Sequence, residues 1–271
     1  MTRYRILFAV LLVCLLVSRE WLLLDDGRLH IRFLSIGQGD ATLLTLPSGA
    51  DVLIDGGMDW ATLEKLPKYM SFFDRSIELV ILSHDNADHL MALPEIAKRY
   101  RVDMFLTSGY GGSARYKAIL ERLRSQGSTI LVMNAGDQLT LDDGVTLDVL
   151  WPPTKIKASV ARGFNNVSLV AALEYQGKRI LFTGDIEKVA EETLIRTNTN
   201  LRADILKVAH HGSKTSSIDG FLRRVNPTLA VISAGRDNSH GHPHEEVVER
   251  YQKHGIEVRR TDEEGDIEII W

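Results

Sequence analysis

Apolar residues recur along the chain with two periods. Short alternating or continuous runs predict strands over 29–36, 41–46, 52–54, 79–82, 145–150, 168–175, 179–182, 205–209, 229–232 and 267–269. Between them, apolar positions spaced three and four apart predict helices near 60–70, 88–99, 113–125, 187–196, 216–224 and 244–254. The alternation is that of an α/β layered fold, and 29–271 contains no low-complexity linker, which favours one compact domain.

An internal likeness sharpens the layering. Residues 45–57 and 173–185 both read as strand, glycine-bearing turn, strand and polar glycine corner. With Gly49 set against Gly177, Gly56 falls on Gly184 and Gly57 on Asp185. Two such halves imply two sheets packed face to face with helices outside, and chemistry along the edge where strand ends converge.

At the start, Arg3 and Arg5 precede an unbroken apolar run over 6–17, the pattern of a signal peptide or signal anchor, assigned to 1–24. No small-residue cleavage site stands out near Ser18, which favours an uncleaved membrane anchor on an exported protein, with secretion the outcome if the segment is cut. The sole cysteine, Cys14, lies in this run, so the domain has neither an internal disulfide nor thiolate ligands. A net charge of −4 argues against a basic coat, leaving any hold on nucleic acid to a local patch. Lys155, Lys157 and Arg162 form one such segment, and Gly109–Gly112 with Tyr110 and Tyr116 offers a candidate stacking surface.

Seven of the nine histidines fall in three short segments that each follow a predicted strand, a grouping that scattered core or surface histidines would not give. The first is Ser83-His84-Asp85-Asn86-Ala87-Asp88-His89, the second Ala209-His210-His211-Gly212, the third His240-Gly241-His242-Pro243-His244. Asp185 adds a carboxylate after an apolar strand and a glycine. Imidazole nitrogen and carboxylate oxygen together are the donor set of Zn²⁺ and Mn²⁺, and a divalent ion offsets the cost of burying them. Read singly, Asp85, Asp88 and Asp185 are also candidate helix N-caps, and the 240–244 loop a helix start.

These residues resemble a known family. His84-Asp-Asn-Ala-Asp88-His89 is similar to the His-x-His-x-Asp-His signature of metallo-β-lactamase-fold hydrolases, with Asn86 in the middle position. Ile36-Gly-Gln-Gly-Asp40, Asn165-Asn-Val-Ser-Leu169, Leu206-Lys-Val-Ala-His-His-Gly-Ser213 and Gly241-His-Pro-His244 resemble the metallo-β-lactamase-like domain of the ComEC family of DNA-uptake competence proteins. The resemblance implies an αββα sandwich of two mixed sheets with the metal site at the sheet edges. It implies metal-site roles for His84, Asp88, His89, Asp185 and His211, with His210 as the alternative to His211, and structural roles near the site for Asp40 and Asp55. Asn86 and Asn165 or Asn166 stand where many relatives carry imidazoles. The expectation is therefore one tightly held Mn²⁺ or Zn²⁺ on Asp88, His89, Asp185 and His211, beside a weak second site of His84 with the asparagines.

Such an ion lowers the pKa of a bound water toward neutrality, and the hydroxide attacks phosphoryl or carbonyl centres. The expected function is a phosphodiesterase or nuclease acting on single-stranded DNA or another phosphodiester, with no organic cofactor. Asp88 and a histidine of the third segment, His242 before His240, carry the catalytic roles. Hydrolysis of a small ester, lactone or phosphonate ester, and a non-catalytic exported binding protein with a weakened centre, are the alternatives. The oligomeric state is left open.

Overall fold

The strand Ser76–Leu82 serves two cores at once: Leu79 and Ile81 point between two sheets, while Val80 and Leu82 point outward to helices. Period-two geometry forces this split, and it explains why residues 79–82 are apolar throughout where a half-exposed strand would alternate. A computed structural model describes residues 26–271 except 143, 158, 159, 162 and 198, together with 4, 5, 7, 8, 10, 11 and 14. The segment expected to be a signal or anchor lies largely outside the described residues, as does Arg162. Among the described residues no helix is long and apolar enough to cross a membrane.

In chain order the strands are β1 (His30–Phe33), β2 (Thr42–Thr45), β3 (Asp51–Ile54), β4 (Ser76–Leu82), β5 (Arg101–Thr107), β6 (Thr129–Val132) and β7 (Gln138–Asp142). They continue with β8 (Val145–Trp151), β9 (Val170–Tyr175), β10 (Lys178–Phe182), β11 (Ile205–Lys207), β12 (Leu229–Ile232), β13 (Glu257–Arg260) and β14 (Ile267–Ile270). One sheet is ordered β14-β1-β2-β3-β4-β5-β6 and the other β13-β12-β11-β10-β9-β8-β7. Read from β14 and from β7, the two sheets have the same plan, three antiparallel pairings followed by three parallel ones. The likeness of 45–57 to 173–185 thus extends to whole sheets. The first half takes its leading strand, β14, from the end of the chain, which ties the two halves together.

Side chains of the inner faces, among them Phe33, Ile81, Leu147, Leu173 and Phe182, form the central core. Helices Ala61–Tyr69, Leu93–Arg99 and Ala114–Ser125 cover the first sheet through Leu66, Ile96 and Ile119. Helices Lys188–Arg196, Asp219–Val225 and Glu245–Lys253 cover the second through Leu194, Phe221 and Tyr251. The architecture is the expected αββα sandwich. β5, β6, β7 and β13 add to the strands read from sequence, and the helix expected over 88–99 divides into Ala87–Leu90 and Leu93–Arg99. At the carboxyl ends of the parallel strands, β3 leads into Asp55, β4 into His84, β10 into Asp185, β11 into the His210–His211 turn and β12 into Ser233. Open α/β sheets bind ligands at this end.

Candidate metal centre

Asp88, His89, Asp185 and His211 each direct a ligand atom into one space, all within 4.8 Å of one another. His89 Nε2 lies 3.3 Å from Asp185 Oδ1, and His211 Nε2 lies 3.3 Å from Asp88 Oδ2 and 3.7 Å from Asp185 Oδ2. Asp88 and His89 occupy the single turn Ala87–Leu90, where Asp88 O accepts Asp40 N and His89 O accepts Gly56 N. None of the carboxylates expected as an alternative to cap a helix does so here. The Ala87–Leu90 and Lys188–Arg196 helices start without a side-chain cap, and Asp85 instead accepts Gly112 N, Ser113 N and Ser113 Oγ, at 2.8, 2.8 and 2.6 Å.

Partners behind the imidazoles fix their tautomers. His89 Nδ1 meets Asp55 Oδ2 at 2.8 Å, and Asp55 is itself held by Ser83 N and Ser83 Oγ, both at 2.7 Å. His211 Nδ1 donates to Ser233 O at 3.0 Å. Each arrangement leaves the Nε2 lone pair facing the centre, as metal-ligating histidines require. Nε2 of His84, His89 and His211 and Oδ1 of Asp185 are buried without a hydrogen-bond partner. Four orphaned polar atoms in one place are costly unless a cation satisfies them, so the donor set fits a divalent metal ion.

Electrostatics agrees. Burial alone opposes charge on His211, yet Asp185 and Asp40 outweigh it and push the imidazole up to about 10; Asp185 and Asp55 likewise raise His89. Asp185 is held well below the usual carboxylate range by His89 and His211 against the cost of burial. These histidines thus take up protons that a divalent ion would displace. His84, where burial dominates, falls to about 3 and is neutral at pH 7.

Around the other oxygen of Asp185 a second, looser group gathers. His84 Nε2 and His210 Nε2 lie 3.7 and 3.9 Å from Asp185 Oδ2. Asn165 accepts from Asn86 Nδ2 at 2.6 Å and approaches His210 Nε2 at 3.5 Å. Asn166 does not join them, which corrects its grouping with the weak site. Its amide binds Glu187 in both directions, accepting Glu187 N at 3.0 Å and donating to Glu187 Oε2 at 3.1 Å. Adjacent His210 and His211 both reach Asp185 because both adopt the left-handed conformation, at φ 51° and 54°. Such backbone costs roughly 1–3 kcal/mol per residue and is found where function demands it.

The third histidine segment borders the centre. His242 has its ring 5.5 Å from His210 and 6.2 Å from His211, while His240 stacks on its far side at 5.6 Å and is exposed. Gly212 makes this approach feasible, since a Cβ there would stand 2.5 Å from Pro243 Cβ. Burial first, then neighbouring imidazoles, lower His242 to about 4. Lys155 and Lys157 are exposed after β8, away from the four-ligand group. Tyr116 is buried and Tyr110 donates to Pro153 O and Thr154 O, which removes Tyr116 from the expected stacking surface.

Sequence reasoning missed several supports. Ser168 Oγ accepts Asp185 N at 3.1 Å, Glu187 Oε1 lies 3.5 Å from His210 Nδ1, and Asn238 Oδ1 accepts the backbone N–H of His240 and His242 at 3.1 and 3.0 Å. The asparagine opening the histidine loop was the one legible signal, as a turn former.

The sequence profile of the metallo-β-lactamase superfamily matches residues 34–236, and the chain belongs to that superfamily. Within it, the chain is similar to ComE operon protein 3 of Bacillus subtilis, 31% identical over an alignment of 257 residues that covers 88% of this chain and 32% of that protein. It therefore spans about a third of that relative's length. It is also 26% identical over 188 residues to endoribonuclease YSH1 of Kluyveromyces lactis, covering 61% of this chain and 24% of the other. Among solved structures, the metallo-β-lactamase fold protein YhfI of Bacillus subtilis superposes with a TM-score of 0.59 at 13% identity, covering 89% of this chain and 99% of YhfI, a likeness of fold.

Proposed function

We propose that the protein is a metal-dependent phosphodiesterase whose substrate is nucleic acid, single-stranded DNA in particular. The observation that carries this reading is the buried, unpaired set of His89 Nε2, His211 Nε2 and Asp185 Oδ1 beside Asp88 at the junction of both sheets. Similarity to a protein named as an endoribonuclease supports a phosphodiester over a carbonyl substrate. Asp88, His89, Asp185 and His211 would hold the ion, Mn²⁺ or Zn²⁺, with His84 and His210 sharing Asp185 on its other side. When bound, a divalent ion supplies an acidified water as nucleophile and neutralises charge developing on the phosphoryl oxygens.

The chain's own groups then have definite tasks. Asp55 and Ser233 O hold the His89 and His211 rings. Asp88, the one partly exposed carboxylate of the four-ligand group, connects the site to solvent, and His211 and His89 keep it ionised. His242, neutral at pH 7, donates an N–H hydrogen bond to a non-bridging phosphate oxygen and orients the diester. The site would act outside the cytoplasm, as the N-terminal residues suggest, which protease accessibility in intact cells tests.

Labelled single-stranded DNA incubated with Mn²⁺ and either the protein or its Asp185→Asn variant, beside a generic lactone, tests the reading. Cleavage lost in the variant is expected. Lactone turnover without DNA cleavage, or no turnover of either, would overturn it.

A further inference from the structure

The loop after β8 and the helix Lys188–Arg196 enclose a groove of about 410 Å³ that no part of the metal centre enters. Leu150, Ile156, Val160 and Val189 form its aliphatic floor, and Val189 is 43% exposed on it. Lys155, Lys157 and Arg196 stand on its rim, and among the described residues no acidic one lines it, although acidic residues outnumber basic ones 36 to 32 in the chain. Three cations around an apolar floor, unaccompanied by any carboxylate, select an anion with a flat apolar body. The volume falls within the range of small-molecule pockets, roughly 300–1,000 Å³.

The groove is also wired to the centre. Trp151, in its wall, donates Nε1–H to Asn166 O at 2.9 Å, Asn166 holds Glu187 at 3.1 Å, and Glu187 faces His210. This short series of contacts fixes the groove relative to the metal-site rim.

We infer that this groove seats a nucleotide of the single strand at a remove from the scissile bond, phosphates on Lys155, Lys157 and Arg196 and base on the aliphatic floor. The inference rests on the phosphodiesterase reading for its substrate class. Stacking and apolar contact with bases tolerate any sequence, so the groove confers grip without sequence preference. Each phosphate neutralised on a single strand contributes about 0.7 to the slope of log affinity against log salt concentration.

The test is fluorescence anisotropy with the metal-loaded protein and a short labelled phosphorothioate oligothymidylate, so that binding is read with cleavage suppressed. Substituting Lys155→Gln, Lys157→Gln and Arg196→Gln together is expected to weaken binding about tenfold or more and lower the salt slope by about 2. The charge-matched set Arg115→Gln, Lys117→Gln and Arg124→Gln, on the helix Ala114–Ser125, is expected to stay within about twofold. Val189→Glu, which charges the floor and leaves the rim intact, should also weaken binding.

Equal binding by the rim variant and the unmodified protein would overturn the inference, as would displacement of the probe by polyglutamate as readily as by unlabelled oligonucleotide. Hydrolysis of bis(p-nitrophenyl) phosphate with Mn²⁺, run alongside, separates the two readings. If the protein hydrolyses no diester yet the rim variant loses the oligonucleotide, catalysis fails and the groove stands. If hydrolysis proceeds and the rim variant binds normally, the groove alone fails.

Discussion

Lys207 Nζ lies 2.7 Å from Asp40 Oδ2 between the two sheets, with the side chains only 3% and 6% exposed. The ammonium's other acceptor is Val208 O at 3.2 Å, and Asp40 Oδ1 stands 3.4 Å from His211 Nδ1. Lys207 and His211 hold the Asp40 carboxyl below the usual range against its burial. Removing one partner strands the other's charge, so Asp40→Asn or Lys207→Met should each destabilise by about 3–5 kcal/mol. The double variant should recover much of that loss, because a neutral pair leaves no unpaired charge. Urea unfolding of all four proteins measures it, and strictly additive losses would refute the coupling.

Chelation should destabilise the fold. Without an ion the orphaned atoms of His84, His89, His211 and Asp185 are buried uncompensated, whereas a ligand at a hundred times its Kd adds about 2.7 kcal/mol. Tm is expected to rise with Mn²⁺ or Zn²⁺ in the unmodified protein and to stay flat in Asp185→Asn. Titration calorimetry should give one tight equivalent, with His84→Ala reducing only a weaker second step, since neutral amides replace imidazoles there. Two equally tight equivalents would contradict this difference.

Gly39 and Gly37 make a matched pair. Both have positive φ, 120° and 81°, but a Cβ on Gly39 would stand 2.3 Å from Asp88 O while one on Gly37 meets nothing within 4 Å. Gly37→Ala should cost only the conformational strain, about 1–2 kcal/mol, with metal affinity unchanged. Gly39→Ala must push the turn carrying Asp88 and His89, and metal affinity should fall by about tenfold or more, a 1.4 kcal/mol effect. Competition with a chromogenic chelator distinguishes the two variants, and equal affinities would show that the close approach at Gly39 is dispensable.

His242→Gln separates orientation from metal binding. The imidazole is half-buried beside His210 and His211 but lies outside the four-ligand group. Loss of about 10²-fold in kcat is expected, at the lower end for a positioned proton-transfer or hydrogen-bonding group, with metal stoichiometry intact. His240→Gln should cost far less, because that ring contacts His242 from the solvent side. A loss of metal in His242→Gln would instead make it a ligand.

Much of this centre was legible in the residues because strand ends deliver it. Short, β-branched apolar runs such as 79–82 and 229–232 read as buried strands by length and composition, and the donors that follow such strands gather at one end of the sheets. β13 was missed because Glu257-Val-Arg-Arg is an edge strand with a charged, partly exposed pattern; β7, Gln138-Leu-Thr-Leu-Asp142, does alternate, but it is a short edge strand with only two apolar residues, neither of them fully buried. Asn166 was misassigned because adjacent asparagines in a tight helical turn point in different directions, which spacing does not reveal. Glu187 was missed for the same reason: its partners Asn166, Thr215 and His210 lie far apart in sequence.

Asp51 gives the fold a pH dependence independent of the metal centre. Burial pushes its carboxyl up from 3.8 to about 7; Asp74 and Glu78 add repulsion, and Thr45 Oγ1 donating at 2.8 Å and Arg32 only partly offset it. Because the folded state binds this proton more tightly than the unfolded chain, the contribution is fully present below about 3.8 and is lost as pH rises through about 7. Three pKa units at 1.36 kcal/mol each set the scale at about 4 kcal/mol. Asp51→Asn keeps an acceptor for Thr45 and removes the titration. The variant should match the unmodified protein near pH 4 and exceed it by a few kcal/mol at pH 8 in denaturant unfolding. Subtraction of the two curves cancels His89 and His211, whose raised pKa values slope the same way in both proteins. A difference that does not grow between pH 4 and 8 would mean that Asp51 is ionised in the fold across that range.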